Sequence, residues 1–343
     1  MVGGASVGFN PTSSIQHEYH ASVQRLILRI ITAIQLTRLT MAFGAVADVW
    51  FVILLSRSHG EYNYLPVFSM NLPWALLAGA TVAIGLFAYG ASLNDVLDAR
   101  HDETFSPERP IPAGRIRLGQ AIVVTVGALI VAMLGGIQMG TGAAAMTLIT
   151  ATGILFYNAA GKFIPAIGLM TVGLLHACHM LIPNYQLEFT IPVWLVMTHA
   201  TVVAAIVHHL EDKRPRLGRR AILATIIGWV VWSAILLGAG GRLAQGLWPD
   251  DANVWGVLLP VGAVIGFVFV AWWKVTGVSG PAAAEKLKRY GALWQALYGA
   301  AWLAAVGLPT QSLWLGLFAL AGFAGMTLIK EITGFSDRPV TYR

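Results

Sequence analysis

Long apolar runs recur along this chain, at about residues 30–55, 73–93, 118–137, 141–157, 163–182, 190–208, 220–237, 254–273, 288–306 and 312–332. A hydrocarbon layer about 30 Å thick takes about 20 mostly apolar residues of helix to cross, so each run is a candidate span. Inside a bilayer the backbone finds no water to bond to, and these runs are too long for the strands of a barrel, so they are predicted to be α-helices. The expected fold is all-α, an integral membrane bundle of nine or ten transmembrane helices. Nine is the count if one of the last segments lies flat or merges with its neighbour. With 57% hydrophobic and 11% charged residues, the composition excludes an ordinary soluble globule. A single transmembrane domain is expected over 25–335, with an N-terminal cytoplasmic tail at 1–24 and a short tail at 336–343. The first tail has no apolar h-region and is not read as a secretory signal.

The net charge of +6 does not point to nucleic acid, because the basic residues stand in short segments between apolar runs rather than on a soluble face. Topology explains them. With the N-terminus inside, Arg100, Arg109, Arg115, Arg117, Lys162, Lys213, Arg214, Lys288 and Lys330 all fall on the cytoplasmic side, while Arg57 and Arg242 fall outside. The acidic residues concentrate in the inner segments after the second and sixth spans. Chemistry is therefore expected on the cytoplasmic face, in a bacterial inner membrane. Cys178 is the single cysteine, which rules out an intrachain disulfide and a cysteine-based zinc site.

The second span runs directly into SLNDVLDARHDETFSPERPIPAGRI. At about 100° per residue, Asn94, Asp98 and Asp102 fall at i, i+4 and i+8, and Asp95 lies within the same arc. Carboxylates crowded on one face repel one another, and a hard divalent cation shared with phosphate oxygens relieves that repulsion. Arg100, Arg109, Arg115 and Arg117 follow in the same segment as forked donors suited to phosphate. Pro107, Pro110, Pro112 and Gly114 stop the helix and fold the segment. A solvated acidic helix end is the plainer alternative, but three carboxylates and an amide at membrane depth carry a desolvation cost that membrane proteins accept for function.

The stretch from Asn94 through Asp95, Asp98 and Asp102 to Glu108-Arg109-Pro110-Ile111-Pro112 and Gly114-Arg115 resembles the first aspartate-rich motif of the UbiA superfamily of membrane prenyltransferases. The resemblance implies that Asn94, Asp98 and Asp102 hold Mg²⁺ on the diphosphate of an isoprenoid donor, with Asp95 as the neighbouring carboxylate. Tyr157 and Lys162 are similar to the family's Tyr plus Lys segment, where the lysine meets diphosphate; Phe163 stands where an arginine is common. Arg38 and Asp48 resemble a bacterial branch of the superfamily and are candidate substrate contacts. Asp48 inside a span is costly if it has no partner.

After the sixth span stands His208-His209-Leu210-Glu211-Asp212-Lys213-Arg214-Pro215. The family's second motif has two aspartates at i and i+4, so aligning Asp212 with the second places His208 at the first. Imidazole is a poorer Mg²⁺ partner than carboxylate, which leaves Glu211 and Asp212 as metal ligands, His208 as a donor to diphosphate, or a site that prefers a softer metal. His176, His179 and His199 lie within spans and allow, at a lower weight, a three-histidine zinc site. The resemblance implies a Mg²⁺-dependent transfer of a prenyl group to a lipophilic acceptor within the membrane. A terpene cyclase and a non-catalytic lipid-binding or transport protein on the same scaffold remain as alternatives.

Overall fold

A computed structural model of the chain describes residues 31–58, 62–243, 247–249 and 252–334. The tails expected at 1–24 and 336–343 lie outside these residues. The described regular structure is helical throughout. The first expected span is a bent pair, Ile31–Thr37 and then α1 (Ala42–Ser58), at 59° to each other. Arg38 makes the break: its φ of 49° lies in the left-handed region, which a non-glycine side chain rarely adopts and which ends a right-handed helix. There follow α2 (Leu72–Leu97), α3 (Ala99–Phe105), α4 (Leu118–Gln138), α5 (Thr141–Ala159), α6 (Pro165–Met180), α7 (Ile191–Leu210), α8 (Arg219–Leu243), α9 (Leu258–Val275), α10 (Gly280–Ala305) and α11 (Pro309–Gly334).

Among the described residues seven helices are long and apolar enough to cross a bilayer, or eight if the bent pair is one span. α6, with 16 residues, and α10 complete a set that corresponds run for run with the ten expected spans. α10 begins at Gly280, earlier than the expected start near 288. Its first turns hold Glu285, Lys286, Lys288 and Arg289, which end the apolar signal but not the helix. Pro281 in the first turn starts it, and its charges find partners: Glu285 with Lys330, Lys288 with Glu211, and Arg289 with Thr327.

Lipid tails are as apolar as leucine, so helices in a bilayer associate through close packing of small residues. A Cβ added at Gly85 on α2 would stand 2.6 Å from the backbone nitrogen of Ala132 on α4, and one at Gly135 would stand 2.9 Å from that of Val82. The two helix backbones touch there, and no larger residue fits without separating them. α1 lies at the centre of the bundle. Its Val49 and Ile53 pack into a core shared with α2, α4 and α5, while Phe51, Val52 and Leu55 join one shared with α6, α7, α10 and α11. α8 and α9 sit outermost, with 6% and 11% of their apolar stretches buried. This up-and-down order brings Arg38, the segment after α2, the turn between α5 and α6, the turn after α7 and the first turns of α10 to one end of the bundle.

Candidate active site

α2 ends at Leu97, so Asn94 and Asp95 ride on its last turn. The chain kinks at Asp98, where φ is −89° and ψ 1°, without losing the helical bonding pattern. Asp98 N donates to Asn94 O at 2.9 Å, and Asp102 N donates to Asp98 O at 2.8 Å. The four-residue rhythm seen in the sequence therefore continues, and around it Asn94 and Asp98 fall about 40° apart while Asp102 and Asp95 fall about 20° apart, two adjacent pairs on one face.

Asn94 and Asp98 converge on Lys162, which stands in the Gly161–Phe163 turn between α5 and α6. Its Nζ donates to Asp98 Oδ1 at 2.6 Å, to Asp98 Oδ2 at 2.7 Å and to Asn94 Oδ1 at 3.3 Å. The Phe163 ring lies 5.5 Å from the same ammonium, so the residue that replaces the expected arginine offers the cation an aromatic face. Asp95 and Asp102, each 3% exposed, converge instead on Arg109, whose Nη1 is 3.3 Å from Asp95 Oδ1 and 2.7 Å from Asp102 Oδ2. Arg38 Nη2 reaches Asp95 Oδ1 at 3.3 Å, from the break that its own left-handed backbone creates. Arg109 is held by a tight segment in which its N–H donates to Ser106 O and its carbonyl accepts from Ala113 N. Arg115 ties that segment to the first helix through Gln35 Oε1 at 3.1 Å. Three carboxylates thus stand against three cations.

Across the site, Glu211 caps α7. Its Oε1 accepts from Lys288 at 2.5 Å and its Oε2 pairs with Lys213 at 2.9 Å. Burial disfavours the charged carboxylate, yet the two ammoniums outweigh burial and hold the Glu211 carboxyl below the usual range. Asp212, expected beside Glu211 as a metal ligand, stands apart from these pairs. Its φ of 44° turns the chain, its side chain is 64% exposed, and it pairs outward with Arg216 at 3.1 Å and Arg214 at 3.7 Å. His208 Nε2 lies 3.0 Å from Pro215 O, a contact that closes the same turn on itself. One residue is about 100° around a helix, and the left-handed backbone of Asp212 adds to it, so adjacent carboxylates face different ways. Glu211 is the one that turns inward. Tyr157, on the last turn of α5, lies within electrostatic reach of Asp98, Glu211, Lys213 and Arg38. Arg38 also acts on Lys288, which links the two halves.

Lys288 and Lys213 are site residues that the sequence reading treated as topological charges. The signal for Lys288 was its place on an interior stripe of α10 with Gly291, Gln295 and Tyr298, hidden because the helix was expected to begin at 288. Asp48 does not join the cluster: it is 2% exposed, and among the described residues its Oδ2 has no hydrogen-bond partner.

Among the described residues no three His, Cys, Asp or Glu side chains are placed together to hold a metal. That includes the three histidines considered for zinc: His176 bonds Gln295, and His199 bonds Gly291 O and Tyr298. The donor set of the first motif nonetheless suits a hard cation. Oxygens of Asn94 and Asp98 already converge on a single point, where the Lys162 ammonium sits.

Residues 65–290 match the UbiA prenyltransferase family. The digeranylgeranylglyceryl phosphate synthase of Saccharolobus solfataricus is 28% identical over 158 residues, 43% of this chain and 56% of that protein. The synthase of the same description from Methanosarcina barkeri is 28% identical over 130 residues, 36% of this chain and 42% of that protein. The chain thus spans about half the length of the curated relatives it matches. A solved structure concerning digeranylgeranylglyceryl phosphate synthase in membranes is 20% identical, covers 82% of this chain and 99% of its own, and superposes with a TM-score of 0.52, a likeness of fold.

Proposed function

The chain belongs to the UbiA prenyltransferase family, and from that premise we propose that it transfers a prenyl group from an isoprenoid diphosphate to a lipophilic acceptor within the membrane. The observation that carries this reading is the matched set of three carboxylates and three cations at one end of an apolar bundle. A buried ion stripped of its partner is costly. Lys162, Arg109 and Arg38 would hold the phosphate oxygens of a diphosphate, and the carboxylates they now pair with would hold a divalent cation, so neither set of charges would be left without a partner.

Asn94, Asp95, Asp98 and Asp102 would hold Mg²⁺, with Glu211 facing them. When bound, the ion supplies Lewis-acid stabilisation of charge on the leaving diphosphate. Lys162, Arg109 and Arg38 neutralise the same charge as the carbon–oxygen bond breaks, which is where preorganised donors contribute most. Tyr157 stands between the two halves. Asp212 and His208 shape the turn that aims Glu211 and Lys213 inward. The apolar walls exclude water that would quench an allylic cation. The site faces the cytoplasm, because the Lys- and Arg-rich connections all emerge at its end of the bundle.

Purified protein in lipid, given Mg²⁺, radiolabelled polyprenyl diphosphates and a lipid extract, should release diphosphate and yield a labelled lipid. A labelled cyclised hydrocarbon would assign the site to a cyclase instead. Donor binding without diphosphate release would overturn the enzyme reading.

A further inference from the structure

α10 carries a stripe outward from the ion-paired end, in which Lys288, Gly291, Gln295 and Tyr298 recur at steps of three and four and so share a face. Lys288 belongs to the site above. The later members belong to a second polar group that the proposed function does not use. Gly291 O accepts from His199 Nε2 at 3.2 Å; with that nitrogen donating, the neutral ring accepts at Nδ1 from the Tyr298 hydroxyl at 3.3 Å, and its capacity is filled. His176 differs. Gln295 Nε2 donates to its Nδ1 at 3.0 Å, which places the ring proton on Nε2, and that N–H has no partner among the described residues.

Two other groups inside the bundle have unused capacity as well. His179, one turn along α6, is 8% exposed, and its Nε2 has no hydrogen-bond partner among the described residues. Asp48 on α1 is in the same position through Oδ2. A Cβ at Gly44 would lie 3.0 Å from Ala292 O, and one at Gly299 would lie 3.2 Å from Phe51 Cβ, so α1 and α10 run in parallel register. That register sets Asp48 on the α10-facing arc, level with Gln295. His176 acts electrostatically on both His179 and His199, and among the described residues none of the three histidines bonds to a lysine or arginine. Although His176 lies inside the bundle, it keeps partial accessibility and therefore borders internal space. Polar groups left unbonded at this depth are costly and mark a cavity or a ligand path.

We propose that His176, with His179 one turn along α6 beside it, forms a second, deeper site for an uncharged hydroxyl or carbonyl oxygen of the acceptor. His176 Nε2–H donates to that oxygen, and the lack of a lysine or arginine bonded to the group among the described residues disfavours a phosphate. Seven residues of helix separate Lys288 from Gln295, about 10 Å, a depth that a diphosphate and the first carbons of its chain would fill. Naming the acceptor as occupant rests on the prenyl-transfer reading; the site itself does not.

The test uses the full chain in lipid nanodiscs and three photoreactive probes of one chain length: a diazirine-bearing long-chain alcohol, the corresponding alkane and the corresponding alkyl phosphate. The alcohol should label peptides of α6 or α10 at least about fivefold above the other two, His176→Phe should abolish that preference, and His176→Gln, which keeps a donor, should restore part of it. Asp98→Asn should leave labelling unchanged, so that failure of the catalytic reading is separable from failure of this one. Melting temperatures of the variants exclude unfolding as the cause. Equal labelling by alkane and alcohol, or labelling indifferent to His176→Phe while the variant stays folded, would mean that the group holds only buried water and would overturn the proposal.

Discussion

Replacing Asp98 by Asn and Lys162 by Met, singly and together, separates the structural worth of this pair from its part in the chemistry. Both Asp98 oxygens meet Lys162 Nζ, at 2.6 and 2.7 Å, and the two side chains are 21% and 15% exposed. Removing one partner of a fully buried pair strands the other, at about 3–5 kcal/mol. In Asp98→Asn the ammonium keeps Asn94 Oδ1 at 3.3 Å and gains an amide oxygen, so the expected loss is about 1–2 kcal/mol. In Lys162→Met the carboxylate loses its cation, and the expected loss is about 2–4 kcal/mol. The double variant strands neither charge, so its loss should fall short of the sum by about 1–2 kcal/mol. Turnover behaves otherwise: each single variant should lose at least about tenfold in diphosphate release, with no recovery in the double, because both groups act on the charge that develops on the leaving group. Thermal unfolding followed by the fluorescence of the 12 tryptophans reports the first quantity, and diphosphate release in lipid reports the second. A coupling near zero would refute the pair. Near-parental release from well-folded Asp98→Asn would remove Asp98 from the chemistry.

Glu211→Gln, which breaks contacts to Lys288 and Lys213, should lower diphosphate release at least about tenfold, whereas Asp212→Ala, which breaks a solvated pair, should stay within about twofold; the reverse order would show that the turn rearranges when substrate binds. Because lysine partners hold the Glu211 carboxyl low, its contribution to stability is full above the ordinary carboxyl value of 4.5 and is lost as pH falls through the lowered one. The melting difference between parent and Glu211→Gln should therefore be widest near about pH 6 and shrink toward about pH 3, and a difference that grows on acidification would contradict the sign. In a Cys178→Ala background, Ser106→Cys and Leu217→Cys should react with a membrane-impermeant thiol reagent from the same side, and labelling from opposite sides would split the composite site. Gly135→Val, at the contact of α2 with α4, should destabilise by about 1–3 kcal/mol, read as a lower melting temperature, since the added carbon has no room beside Val82.

The spans were legible because the bilayer writes them into composition: a run of about 20 apolar residues has few folds open to it when the backbone can bond only to itself. The first half of the site was legible for a similar reason. Asn94, Asp95, Asp98 and Asp102 are near neighbours in sequence, and helical spacing alone places them on one arc. What spacing could not give is the partner each pair meets, which depends on where Lys162 and Arg109 arrive from other segments. For the second half, spacing leaves both Glu211 and Asp212 as candidates. Whether Glu211 or Asp212 faces inward turns on a single left-handed backbone step and on Lys288, 77 residues away along the chain. The deeper group of His176, His179 and Gln295 was visible only as scattered polar residues inside spans. Local spacing and the need to satisfy a backbone in lipid are properties of the sequence; which side chains meet across helices is set by the packing of the bundle, and only the tertiary structure decides it.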